Sequence, residues 1–155
     1  SKNFFYTVYF VSYHKSMNYD NILKIIYLKE KNMSYVKFKV PDDIKNELKN
    51  ALGAIAEARD SKIRKGMNEV TKSIERSNAR IVVMAEDVTP PEILFHVPLL
   101  CEEKSIPYGY LSTKKELGNT VRINVGASAI AIENLGTGND NILDNVIKKL
   151  ESLKK

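Results

Sequence analysis

The stretch Lys62-Ile-Arg-Lys-Gly-Met-Asn-Glu-Val-Thr-Lys-Ser-Ile-Glu-Arg76 carries the densest potential chemistry of the chain. With Arg59, Asp60 and Arg80 it holds seven bases against three acids, a local charge of +4. Gly66 permits close backbone approach, and the residues after it read as a helix, so the charge gathers at a helix N-terminus. Unpaired N–H groups and the positive end of the macrodipole make such a terminus a natural phosphate site. Asn68, Glu69 and Lys72 fall at i, i+1 and i+4, on one face of that helix. A carboxylate cannot favour phosphate, so Glu69 inside a basic patch needs a donor. The Watson–Crick edge of guanine offers N–H donors when the base is outside a standard pair. Asn68 donates and accepts, and Lys72 reaches guanine O6 or N7, or a phosphate. Irregular guanine-rich RNA would match all three. The competing reading is a solvated helix face with a Glu69–Lys72 pair at i, i+3.

Other candidates for chemistry are sparse. Cys101 lies among Leu99, Leu100 and Ile106 and reads as a buried thiol. His96, between Phe95 and Val97, reads as a packed histidine. Glu86 and Asp87 end a β-branched run, where α/β enzymes often place acids, but no Gly-rich phosphate loop precedes a helix at the required spacing. Gly136-Thr-Gly138 reads as a turn. One cysteine excludes a disulfide scaffold and a multi-cysteine zinc module, and His14 and His96 are far apart. The expectation is a protein without catalysis, metal or cofactor.

These residues need a frame. The 155 residues (17.6 kDa) fit one domain, and 43% apolar with 28% charged residues is a globular balance. The net charge of +5 favours an anionic partner. No apolar run reaches the ~20 residues of a membrane span. Residues 1–32 differ from the rest. They hold Phe4, Phe5, Phe10, Tyr6, Tyr9, Tyr13, Tyr19 and Tyr27, eight of the thirteen aromatics, and a charge of +3. They lack an Ala-x-Ala-type cleavage site. They are expected to be an appendage, even an upstream reading-frame extension, with a possible helix over 21–30; residues 33–155 form the core, Met33 reading like a protein start.

From Pro41 onward the pattern is regular. Ile44, Leu48, Leu52 and Ile55 make one helical stripe, and Asp42 and Asp43 suit its positive end. Residues 62–64 read as a short extended piece. Val70, Ile74 and Met67 face inward on the helix opened by Gly66. Arg80–Ala85 reads as a buried strand. Pro90 and Pro91 start a helical stretch that Pro98 interrupts and residues 99–104 continue. Residues 107–111 read as a strand, 113–117 as a helical turn and 127–133 as a strand. Asn139 or Asp140 caps a last helix with the stripe Ile142, Leu143, Val146, Ile147, Leu150 and Leu153; Lys148, Lys149, Lys154 and Lys155 suit its negative end. This alternation predicts an α/β fold, a three-layer α/β/α sandwich around a small mixed four-stranded sheet.

Gly66-Met-Asn-Glu-Val-Thr-Lys72 resembles the Gly-x-Asn-Glu-x-Thr-Lys signature of the archaeal large-subunit ribosomal protein L-seven-Ae and its eukaryotic relatives in small nucleolar particles. The likeness continues through Ile81–Asp87, Pro91-Glu-Ile, His96–Lys104, Ile106-Pro-Tyr108, Leu117-Gly118 and Val125-Gly126 to Ile132. It covers about residues 34–153. It implies a cytoplasmic, non-catalytic kink-turn RNA-binding protein, recognising a helix–bulge–helix with tandem sheared G·A pairs. Its implied partners are ribosomal RNA, guide RNAs of methylation and pseudouridylation particles, ribonuclease P RNA, and the proteins of those particles. By motif, Asn68, Glu69 and Lys72 would read the guanines, and Lys65 and Gly66 would meet the adjoining backbone. Ile93 and Lys114 fall at the pocket for a flipped-out nucleotide. Ile123, Asn124 and Val125 stand where many archaeal members have Leu-Glu-Val. Arg122 replaces a customary glycine, adding charge and removing backbone freedom. Two alternatives stay open: a substrate-recognition domain of an RNA-modifying enzyme, and a protein-interaction module with an incidental basic face.

Overall fold

The computed structural model describes residues 20, 21, 23 and 35–154. The expected helix over 21–30 lies outside them except for Asn21 and Leu23, which are helical with Asp20. The other expectations for residues 1–32, and Met33, also lie outside. The chain proceeds through α1 (Asp42–Glu57), β1 (Lys62–Lys65), α2 (Met67–Glu75), β2 (Ile81–Ala85), a 3-10 turn (Pro91–Leu94), α3 (His96–Glu103), β3 (Tyr108–Leu111), α4 (Lys114–Thr120), β4 (Ala129–Asn134) and α5 (Asp140–Leu153). The four strands form one mixed sheet in the order β1-β4-β2-β3. β4 runs antiparallel to both β1 and β2, and β2 runs parallel to β3.

Burial explains the layers. Every residue of β2 is buried, as a run of Ile, Val and Met demands when helices cover both faces of a sheet. α2 packs on α3 and over β1 and β4, while α1 packs on α4 and α5. Leu48, Leu52 and Ile55 of α1, and Leu143, Val146 and Leu150 of α5, fill the space between these helices and the sheet. Tyr35 closes the edge by β3: its hydroxyl donates to the Ala85 carbonyl and accepts the Val88 N–H, and its own carbonyl accepts from Tyr110 Oη at 2.7 Å. Burial pushes the Tyr35 phenol above its ordinary pKa.

Three local expectations need correction. Pro98 does not interrupt a helix; it is the third residue of α3, inside the first turn, where a missing N–H costs no intrahelical bond. The break falls at Phe95, between the 3-10 turn and α3. Asn139 holds the N-cap position of α5, but its side-chain amide donates to the Leu135 carbonyl at 2.8 Å and does not cap. Ile142 lies off the apolar stripe of α5, 44% exposed. Lys154 does more than face a helix end: its ammonium meets Glu102 and Glu151 and stands 4.1 Å from the Tyr108 ring centroid.

The register has one consequence for function. Lys65 pairs with Ile130, Met84 with Ala129, and Ala85 with Leu111. The C-terminal ends of β1, β2 and β3 and the start of β4 therefore share one edge of the sheet, the edge where open α/β sheets bind ligands.

Candidate nucleic-acid interface

All ten candidate residues belong to segments that leave or enter the sheet at that shared edge. Lys65 ends β1, Gly66 turns the chain, and Asn68, Glu69 and Lys72 lie on the helix that follows. Ile93 sits in the 3-10 turn after β2, Lys114 begins α4 after β3, and Ile123, Asn124 and Val125 form the loop before β4.

Gly66 makes the first corner. Its backbone is at φ 89°, ψ 154°, a region essentially closed to residues with a Cβ. Its N–H donates to the Ala129 carbonyl at 3.0 Å, which ties the corner to the start of β4. Among the described residues, no side chain caps α2. The N-terminus is thus open to an anion, as its N–H groups and dipole favour.

The orientation of α2 is set from below. Val70 and Ile74 are fully buried, worth about 1.5–3 kcal/mol each. Thr71 Oγ1 donates to the Met67 carbonyl at 2.8 Å and lies 2.8 Å from His96 Nε2. The hydroxyl has one proton, so Nε2–H of His96 is the donor in the second bond. His96 is 1% exposed and binds α2 to α3. With that face locked inward, Asn68, Glu69 and Lys72 stand exposed together on the outer one.

Charges around the trio are organised through the sheet. Glu133 of β4 meets Lys62 Nζ at 3.4 Å and Arg64 Nε at 3.4 Å. Its side chain is 10% exposed, and this burial opposes ionisation. The nearby Ser73 hydroxyl and the positive charges of Lys62 and Arg64 outweigh it, holding the carboxyl below the usual range. Arg64 Nη1 also stands 3.7 Å from Glu69 Oε2. Among the described residues, the ion partner of Glu69 is therefore Arg64, across the Gly66 turn, and not Lys72 on its own helix.

The second half of the edge is built by backbone contacts. The Ile123 N–H donates to the Gly118 carbonyl at 3.0 Å, and the Ala127 N–H to that of Lys114 at 3.0 Å. A Cβ on Gly118 would fall 2.1 Å from the Val125 carbonyl oxygen, so only glycine lets the loop fold back on α4. Ile123 packs partly on the core, while Val125 is 71% exposed. Arg122 adopts φ 62°. The left-handed geometry expected of a glycine persists there, and the guanidinium donates to Glu57.

Three contributors escaped the sequence reading: Arg64 as the partner of Glu69, Glu133 as the anchor of Lys62 and Arg64, and Asp87, whose Oδ1 accepts the Lys114 N–H at 2.8 Å. Only the last had a signal, an acid at the end of a buried strand. Cys101 is buried, and burial raises its thiol pKa far above the ordinary value. Among the described residues no group of three or more His, Cys, Asp and Glu could hold a metal ion, and no helix is long and apolar enough to cross a membrane.

Two comparisons bear on this arrangement. The solved structure of a Giardia lamblia 15.5kD RNA binding protein is 30% identical over the match, which covers 74% of this chain and 92% of that one, with a TM-score of 0.66. Residues 44–141 match the ribosomal protein L7Ae/L30e/S12e/Gadd45 family, a span that holds all but the first two residues of α1, everything from β1 through β4, and all ten candidate residues. With the Gly66 corner, the open α2 terminus and the shared sheet edge all inside that span, the chain belongs to the ribosomal protein L7Ae/L30e/S12e/Gadd45 family.

Proposed function

We propose that this chain binds RNA without catalysing a reaction on it, and that its target is a kink-turn with tandem sheared G·A pairs. The observation that carries the reading is the exposure of Asn68, Glu69 and Lys72 together on the first turns of an uncapped helix. The family and the RNA-binding relative from Giardia lamblia support RNA as the ligand.

The chemistry divides into capture and readout. Lys65 and Lys72, with the open N–H groups of α2, attract phosphate without regard to sequence. Glu69 accepts from the N–H groups on the Watson–Crick edge of a guanine that lacks a standard partner. Asn68 supplies a donor and an acceptor beside it, and Lys72 reaches O6 or N7. Ile93, Lys114 and the Ile123–Val125 loop form the second contact along the same edge, where an unstacked nucleotide finds apolar surface. The cellular setting we propose is the ribosome, guide-RNA modification particles and ribonuclease P, the bent RNA serving as a platform for partner proteins. Residues 1–32 stand outside this binding domain.

Calorimetric titration of Asn68→Ala with a kink-turn RNA tests the reading. Affinity is expected to fall by about 1–3 kcal/mol, the range of one good base contact. Unchanged affinity would remove the base-reading role from this face of α2.

A further inference from the structure

The peptide groups of Lys114 are held on both sides, by different parts of the chain. The Lys114 N–H donates to Asp87 Oδ1 at 2.8 Å. The Lys114 carbonyl accepts from the Ala127 N–H at 3.0 Å. Asp87 lies two residues past β2 and Ala127 two residues before β4, so these two bonds join three strand ends at one edge. The fit is close: a Cβ on Gly126 would stand 3.1 Å from Lys114 Cβ. A second brace runs alongside, where Lys45 Nζ meets Glu86 Oε1 at 2.8 Å and Ser112 Oγ at 2.9 Å.

Asp87 is exposed and carries a negative charge on the edge that would face phosphate. By charge alone it opposes RNA binding. Its bond to Lys114 acts in the other direction. We infer that Asp87 is a positioning residue for the RNA interface: it fixes the start of α4, and through Ala127 the loop that carries Ile123, Asn124 and Val125. The inference rests on the RNA-binding reading above and gives the acid at the end of β2 a role in it.

Two substitutions separate geometry from charge. Asp87→Asn and Asp87→Ala remove the same charge, but only asparagine keeps an oxygen that accepts the Lys114 N–H. Each is titrated with a kink-turn RNA and a plain duplex, with Asn68→Ala alongside, and amide hydrogen exchange is followed in the RNA-free proteins. Asp87→Ala is expected to weaken kink-turn binding roughly three- to tenfold, the scale of one net hydrogen bond. Asp87→Asn is expected to bind as tightly as the parent or tighter. Exchange at Lys114 should quicken in the alanine variant and not in the asparagine one. The inference is overturned if both variants tighten binding equally, if both weaken it equally, or if exchange at Lys114 is unmoved by alanine. Should Asp87→Ala fail to fold, Asp87→Leu, close to asparagine in shape but without an acceptor, takes its place. Weakening by Asn68→Ala with no effect of Asp87→Ala would sink this inference and leave the RNA reading standing. A parent protein that does not prefer the kink-turn would take both down.

Discussion

The Arg64 guanidinium stands 3.7 Å from the Glu69 carboxylate across the turn at Gly66. This contact answers how an acid sits within a basic patch. Arg64 is also held by Glu133 at 3.4 Å, so it stays in place whether or not Glu69 is paired. Both partners are well exposed, 38% and 50%, and such a surface pair is worth about 0–1 kcal/mol. In the proposed RNA complex, guanine N–H donors would therefore replace Arg64 at little cost, and Lys72 would face the ligand.

Glu69→Ala should weaken binding to a kink-turn by about 1–3 kcal/mol. Binding to a plain duplex should hold or improve, because a negative charge leaves the patch. Parallel titrations of the two RNAs measure the difference. Equal weakening toward both would contradict base reading by Glu69.

Gly66→Ala should lower both stability and affinity. A Cβ there meets open space, so the loss comes from the backbone at φ 89°, ψ 154°. Holding alanine there costs about 1–3 kcal/mol, or the corner relaxes and α2 turns away from the ligand. Thermal unfolding and RNA titration of one preparation read the two effects. A variant equal to the parent in both would show that the corner does not depend on glycine.

Glu133 gives the fold a defined acid limb. Its folded pKa is lowered, so the stability it lends is fully present above its ordinary value of 4.5 and is lost as the pH falls through the folded value. Glu133→Gln should reduce stability at neutral pH and flatten the decline below pH 4.5. Denaturant unfolding across that range checks it; an unchanged slope would deny Glu133 its part.

Deletion of residues 1–32 should leave RNA affinity nearly unchanged, because the ten candidate residues and Tyr35, which pins the start of the core, are all retained. Unfolding of the truncated chain reports separately what the buried Asn21 contributes to stability. A large loss of RNA affinity would mean that the extension takes part in binding.

The sequence made legible what local chemistry controls. The apolar stripes of α1 and α5, the β-branched run of β2 and the glycine before α2 each announced their element. The arrangement of the sheet was not legible in detail, because pairing joins distant residues: Ile63 and Ile81 both register with Ile132. The same distance hid the roles of Glu133 and Asp87. Arg64 and Glu69 are only five residues apart, but their meeting depends on the unusual backbone of Gly66. At Arg122 the sequence suggested lost backbone freedom. The structure keeps the left-handed turn, at a cost of about 1–2 kcal/mol for a residue with a Cβ. Arg122 N–H to Asn119 and Ile123 N–H to Gly118 close the turn, and Glu57 pairs with the side chain.

The most direct measurement compares one kink-turn RNA in two forms, with its G·A pairs intact and with those pairs changed to Watson–Crick, at 150 mM salt. Pairing buries the guanine edge that Glu69 and Asn68 would engage, so binding should be strong to the first RNA and fall to the plain-duplex level with the second. Equal affinity for the two would contradict the account, since the α2 face would then be sensing charge and not guanines.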